Sequence, residues 1–317
     1  MSAIRFRVLP RQQTQLLADK QQRQLNKTLL VLLFLLPGMA IFAFFLLIPI
    51  TRSAYFSFYH WDGFGPLTDY VGFGNYERLL NQKIFQNTLQ HSFIIMILSL
   101  MVQLPLALSL ALIVGRGKLR GKKVFRTILF VPYVFSEVIT ALIWMYVLHP
   151  TDGLVNSVLG GILPNYNPIG WYGDRSLVLY SVFMVITWKY FGFHMILYMA
   201  GLQSIPKDLE EAARVDGATE RQVLTHITLP LLGSTIRLTI FLSVLGSFQQ
   251  FVMVWILTGG GPVNSSELIA TYLYKYGISR NSFGYGSAVA VILFSITFLF
   301  SIGYQRLIMR QDYSLKR

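Results

Sequence analysis

Six long apolar runs alternate with polar, basic or turn-rich stretches along the 317 residues, at 29–50, 92–114, 127–148, 177–202, 231–257 and 288–307. Each is close to the ~20 residues that a helix needs to cross the hydrocarbon core of a bilayer. The pattern predicts an all-α, polytopic membrane protein with six transmembrane helices. Pro37, Pro105 and Pro132 lie inside three of the runs, which is tolerable where neighbouring helices satisfy the freed backbone groups. The first run is too long for a signal-peptide core and no small-residue cleavage pattern follows it, so it is expected to persist as a helix. Three parts are expected: a basic segment at 1–28, a transmembrane domain at 29–310 with its core at 88–308, and a tail at 311–317.

One polar stretch is patterned unlike the other connections. Residues 204–232 read SIPKDLEEAARVDGATERQVLTHITLPLL, which is amphipathic and punctuated as two short helices. Pro206 suits a first helical turn, and Asp208, Glu210 and Glu211 place negative charge near that turn's exposed N–H groups. Asp216-Gly217 breaks the helix, because glycine accepts the left-handed conformation that ends one. Thr219 and Gln222 have the spacing of a capping box that opens a second helix. Val223, Leu224 and Ile227 make its apolar stripe, and Pro230 is expected to end it. Two short helices about a glycine suit insertion into a groove on a partner protein.

Composition strengthens the membrane reading: 54% of residues are hydrophobic, 13% are charged, and the mean hydropathy is +0.52. That is too apolar for a soluble domain. The formal charge of +13 does not point to nucleic acid, because the basic residues flank the apolar runs. Nineteen of the 27 lysines and arginines fall on the side that holds both termini, the GRGKLRGKK loop and residues 204–232, and six fall on the other. The positive-inside rule therefore predicts cytoplasmic termini and a cytoplasmic 204–232 loop. Cysteine is absent, which excludes disulfides and thiol chemistry. No GxxxxGK[ST] occurs: Arg116 stands where the first glycine before Gly121-Lys122 should be. His60, His91, His149, His194 and His226 show no metal-ligand spacing. The chain is expected to be no enzyme and to carry no cofactor or metal.

Polar residues inside the runs mark the candidate site. An ionisable group at the bilayer centre costs about 2.5–3.5 kcal/mol on the insertion scale. Glu137 is placed about 15 Å from one face and Lys189 roughly 18 Å from the other, in a core about 30 Å thick. They are expected either to pair with each other or to line a polar cavity. Arg237 is near enough to a helix end to snorkel and is given no role. Tyr133, Trp188, Tyr190, Phe193, His194, Ser243, Ser247, Gln249 and Gln250 lie at similar depth. Aromatic faces beside hydroxyl and amide groups suit a sugar, although Ser and Gln also join membrane helices by hydrogen bonds.

These residues carry a resemblance. Glu211-Ala212-Ala213, then Gly217, then Ile227-x-Leu229-Pro230 resembles the EAA loop of bacterial ABC importer permeases. Leu119-Arg120-Gly121-Lys122, Val131-Pro132-Tyr133 and Gly201-Leu202-Gln203-Ser204-Ile205-Pro206 resemble the maltose-type sugar permeases. So do Phe248-Gln249-Gln250-Phe251 and Leu257-Thr258-Gly259-Gly260-Gly261-Pro262, and together these cover roughly residues 75–310. The resemblance implies that Glu211, Ala212, Ala213, Asp216, Gly217, Ile227, Leu229 and Pro230 couple to an ATPase subunit. It also implies that Tyr133, Glu137, Lys189, Tyr190, Phe193, Ser243, Gly246, Ser247 and Gln250 contact substrate.

The expected function is therefore one of two permease subunits of a bacterial inner-membrane ABC importer for an oligosaccharide. Lys189 raises an acidic sugar such as a uronate oligosaccharide, and the charges at Glu137 and Lys189 argue against maltose itself. The implied partners are a second permease, two ATPases that bind ATP and Mg, an external solute-binding protein and anionic lipid. Alternatives are an ABC permease for another solute, an ion-coupled secondary transporter using Glu137, Lys189 and His194, and a membrane-embedded assembly protein.

Overall fold

The computed structural model describes residues 11–117 and 120–309, so Leu119 of the resemblance and the expected tail lie outside the described residues. Those described are almost all helical, and the chain divides into two compact units, 1–55 and 56–317. The described residues of the first unit lie in one helix, α1 (11–56), with a π turn at Ala43–Leu47. Residue 28, where the polar segment is expected to give way to the apolar run, lies within this helix. Its most apolar window is hydrophobic all round and long enough to cross a membrane.

The second unit is built on α3 (Lys83–Arg116) and α7 (Val178–Gln203). Helix α2 (Gly74–Asn81) precedes them, and its Asn75 amide ties down the entering loop by donating to the Ser57 and Tyr59 carbonyls at 2.9 and 3.0 Å. Helix α7 is the axis of the unit: 56% of its apolar window is buried, against 33% for α3. Gly192 lets α4 (Lys122–Val134) approach α7, since a Cβ there would collide with the Leu129 carbonyl. The expected 177–202 run matches α7 almost to the residue.

Two expected spans are broken. The run 127–148 is two helices, α4 and α5 (Glu137–Val147), bent by 99°. Pro132 removes a backbone donor, and Phe135 and Ser136 are extended, with Ser136 Oγ capping α5 by accepting from Ile139 N at 3.2 Å. Three carbonyls left at this corner, from Pro132, Tyr133 and Phe135, all accept from Lys189 Nζ.

The run 231–257 also divides. Helix α10 (Gly233–Phe248) stops at Gln249, whose N–H closes the last turn on the Leu245 and Gly246 carbonyls, and α11 (Val252–Thr258) follows. Among the described residues, four helices are long and apolar enough to cross a membrane, or up to six if α4 with α5, and Glu220–Leu231 with α10, each count as one bent span.

Residues 204–232 fold as a helix pair, α8 (Lys207–Val215) and α9 (Glu220–Leu231), around Gly217 at φ +87°. Pro230 does not end α9, contrary to expectation. It lies in the first turn after a π segment at Leu224–Thr228, where its missing N–H disturbs least. The break falls instead at Leu232, where α9 meets α10 at 64°.

The chain also contains α6 (Leu154–Ile162) and α12 (269–278), and ends its described part in α13 (Phe283–Met309), another of the long apolar helices. Fully buried Glu267, just before α12, accepts from Lys275 at 2.9 Å. Asn156 of α6 organises the loop around it. Its amide N–H groups serve the carbonyls of His149, Pro150 and Ile169, and its oxygen accepts from Tyr166 OH and Trp171 Nε1. Asn156→Ala strips all of these, so it should lower stability on the order of 2–3 kcal/mol. Thermal unfolding in detergent, followed by tryptophan fluorescence, checks this; an unchanged midpoint would show that Asn156 is not the organiser.

Candidate functional site

Three irregular points of the helices meet at one cavity of about 280 Å³: the π turn of α3, the α4–α5 corner and the end of α10. Ser99 and Gln103 reach it from a π turn in α3, Tyr133 from the end of α4, and Glu137 from the first residue of α5. Tyr190, Phe193 and His194 reach it from α7, and Ser243, Gly246, Ser247, Gln249 and Gln250 from the end of α10. Irregular backbone at membrane depth is tolerated where it lines such a space, and π turns concentrate at functional sites.

The wall combines aromatic rings with a larger set of polar side chains. Tyr133 and Phe193 stack with ring centroids 4.8 Å apart and planes 18° from parallel. Tyr190 OH donates to the Glu137 carboxylate. Opposite them, Ser247 Oγ donates to the Ser243 carbonyl at 2.8 Å. Three buried lining atoms have no protein partner: His194 Nδ1, Ser243 Oγ and Gln250 Oε1. Buried polar atoms without partners are costly, so these three favour a guest that offers hydroxyl groups.

Lys189 is not among the lining residues. It is buried, its ammonium points into the α4–α5 corner, and it stands 5.5 Å from the Tyr133 ring centroid. It therefore does not pair with Glu137, which takes Tyr190 instead. Trp188 is likewise turned away and packs edge-on against Trp144 at 5.5 Å.

The helix pair α8–α9 forms a second candidate site. The Thr219–Gln222 capping box is present, with Thr219 N donating to Gln222 Oε1 at 2.8 Å. Glu211, Ala212, Asp216 and Pro230 are exposed, and Leu229 is half-buried. Ala213 and Ile227 help line a shallow hollow between the two helices. Glu220 accepts from Arg214 at 2.7 Å, which holds that guanidinium above its ordinary pKa. Glu210 lies in the first turn of α8, as the charge pattern has it, but does not face solvent. It is buried against Arg116 and accepts from Thr228 at 2.7 Å.

Residues 103–312 match the family described as binding-protein-dependent transport system inner membrane component. The chain belongs to that family. A probable ABC transporter permease protein of Bacillus subtilis, YurN, is 34% identical over 271 residues, covering 85% of this chain and 92% of its own. The lactose transport system permease protein LacF of Rhizobium radiobacter is 33% identical, covering 82% and 88%. Among solved structures, a chain of a bacterial ABC transporter involved in the import of the acidic polysaccharide alginate is 25% identical. It aligns with a TM-score of 0.77 over 91% of this chain and 99% of that one.

As a member of this transport family, the chain keeps eight of its nine sequence-indicated substrate positions on one cavity wall and turns Lys189 aside. Sequence reasoning missed Ser99 and Gln103, whose signal was two polar residues four apart inside an otherwise apolar run. Lys189→Met leaves three carbonyls bare in apolar surroundings, so it should cost on the order of 3 kcal/mol in stability. Thermal unfolding of the purified protein checks this, and an unshifted midpoint would mean that the corner does not need its cation.

Proposed function

We propose that the chain is one of two permease subunits of a bacterial ABC importer that carries a neutral oligosaccharide inward. The observation that carries this reading is the cavity: a stacked Tyr133–Phe193 pair facing unpartnered Ser243, His194 and Gln250 groups. Aromatic faces take the C–H side of a pyranose ring, and the bare polar atoms take its hydroxyls. The lactose permease among the relatives supports the class of substrate.

The charge of the cavity favours a neutral sugar over an acidic one. Glu137 is the one charged side chain lining it, whereas Lys189 is committed to backbone carbonyls. The acidic polysaccharide handled by the alginate importer therefore does not transfer to this chain on the strength of Lys189.

In this reading two ATPase subunits bind ATP and Mg, and an external solute-binding protein delivers the sugar. On the same reading both termini and the α8–α9 pair lie in the cytoplasm, which the basic residues beside the spans support, and those residues meet anionic lipid. Closure of the ATPases moves the pair through Glu211, Ala212, Ala213, Asp216, Gly217, Ile227, Leu229 and Pro230. The helices then switch the cavity between outward and inward access.

The test is uptake by the complete complex in proteoliposomes. Neutral oligosaccharides should accumulate only with ATP inside the ATPase compartment, and uronate oligosaccharides should not compete. Accumulation by this chain alone would instead establish ion-coupled secondary transport. Ser243→Ala with Gln250→Leu should raise the half-saturating sugar concentration about tenfold or more, from the loss of two buried hydrogen-bond partners. Unchanged saturation would remove these residues from the sugar site.

A further inference from the structure

A second cavity, of about 320 Å³, lies at the far end of the long helices, where α3 and α7 meet α8. Its wall carries two ion pairs that share Glu210. Arg116, the last residue of α3, pairs with Glu210 of α8 and also donates to the Leu202 carbonyl near the end of α7 at 3.2 Å. Glu210 is only 5% exposed. Its carboxylate accepts from Thr228 of α9 at 2.7 Å and has Arg214 of α8 at 3.8 Å. One guanidinium thus joins the ends of two long helices to both helices of the coupling pair.

From Arg116 a stiff path leads back to the first cavity. Residues Leu104–Arg116 are unbroken α-helix. Ala107 and Ala111 lie in one core with Met195, Tyr198 and Met199 of α7. Gly115 continues the four-residue spacing against Met199 and Leu202. Small residues in that stripe bring two helices close enough to move as one. The path ends at the π turn Ser99–Gln103, whose first and last residues line the sugar cavity. A π turn departs from the regular ladder, so it is the place in α3 where the two halves can change angle.

We propose that Arg116 and Glu210 are the positioning pair that delivers movement of the α8–α9 helices to α3, which pivots at Ser99–Gln103 and reshapes the cavity wall. The proposal rests on the importer reading above and adds the route by which force reaches the substrate. Without the pair, α8 and α9 are joined to the spanning helices by covalent links at their ends, at Ser204–Pro206 and at Leu232. A buried, hydrogen-bonded ion pair contributes little net stability compared with apolar residues of the same volume. Separating its charges is nonetheless costly, so the loop and the helix end must move together.

The test uses the complete transporter in proteoliposomes, with ATP hydrolysis and sugar uptake measured on the same preparation. The double variant Arg116→Met with Glu210→Gln removes both charges and leaves neither buried alone. Sugar carried per ATP should fall about tenfold while ATP turnover persists, a loss of the size expected when two sites are uncoupled. Arg116→Lys, which keeps the cation, should retain most of the ratio. An unchanged ratio in the double variant would overturn the proposal. So would failure of the double variant to co-purify with the ATPase subunits, because the pair would then hold the fold and carry no movement. A wild-type complex that imports no sugar, or needs no ATP, would count against the importer reading itself.

Discussion

The structure depends on one lysine that repairs a broken helix. A sharp corner inside a bilayer exposes backbone carbonyls that no water can reach, and each costs several kcal/mol if left bare. Lys189 covers the carbonyls of Pro132, Tyr133 and Phe135. It is itself a buried ammonium that needs several acceptors to offset its desolvation. Corner and lysine are thus each tolerable only because of the other. The corner in turn aims Tyr133 and Glu137 at the cavity from two different helices, which a straight span would place on two successive turns.

This arrangement explains what was legible in the sequence. The helix pair at 204–232 could be read because its signals are local. Gly217 supplies the left-handed residue, and Thr219 finds Gln222 three positions away. Span 177–202 could be read because nothing in it departs from apolar helix apart from the residues of the site. The corner at Phe135–Ser136 was not read, since Ser136 and Glu137 are two polar residues within a run that is apolar on both sides and Pro132 lies a turn earlier. Depth along a run locates Lys189 and Glu137 near the midplane but not the direction of either side chain. Only the fold shows that one faces carbonyls and the other faces the cavity.

Glu210 gives the same lesson at the other end. In sequence it is an acid in the first turn of an amphipathic helix, where a helix dipole gives reason enough for it. Its partner Arg116 belongs to a different span, so no local pattern joins them. Neighbouring Glu211, alike in type, stays exposed. The two acids differ in task because the helix turns one inward and the other out.

The glycine at 192 divides the walls of the cavity into two kinds. With no side chain between them, the backbones of α4 and α7 touch, and Lys189 fastens the same two helices a turn away. That side of the chamber is an anvil. A change in its width then comes from the opposite side, where α3 carries its π turn and α10 ends before Gln249 and Gln250. The aromatic rings on the anvil can therefore keep one orientation throughout, while the amides and hydroxyls across from them approach and withdraw.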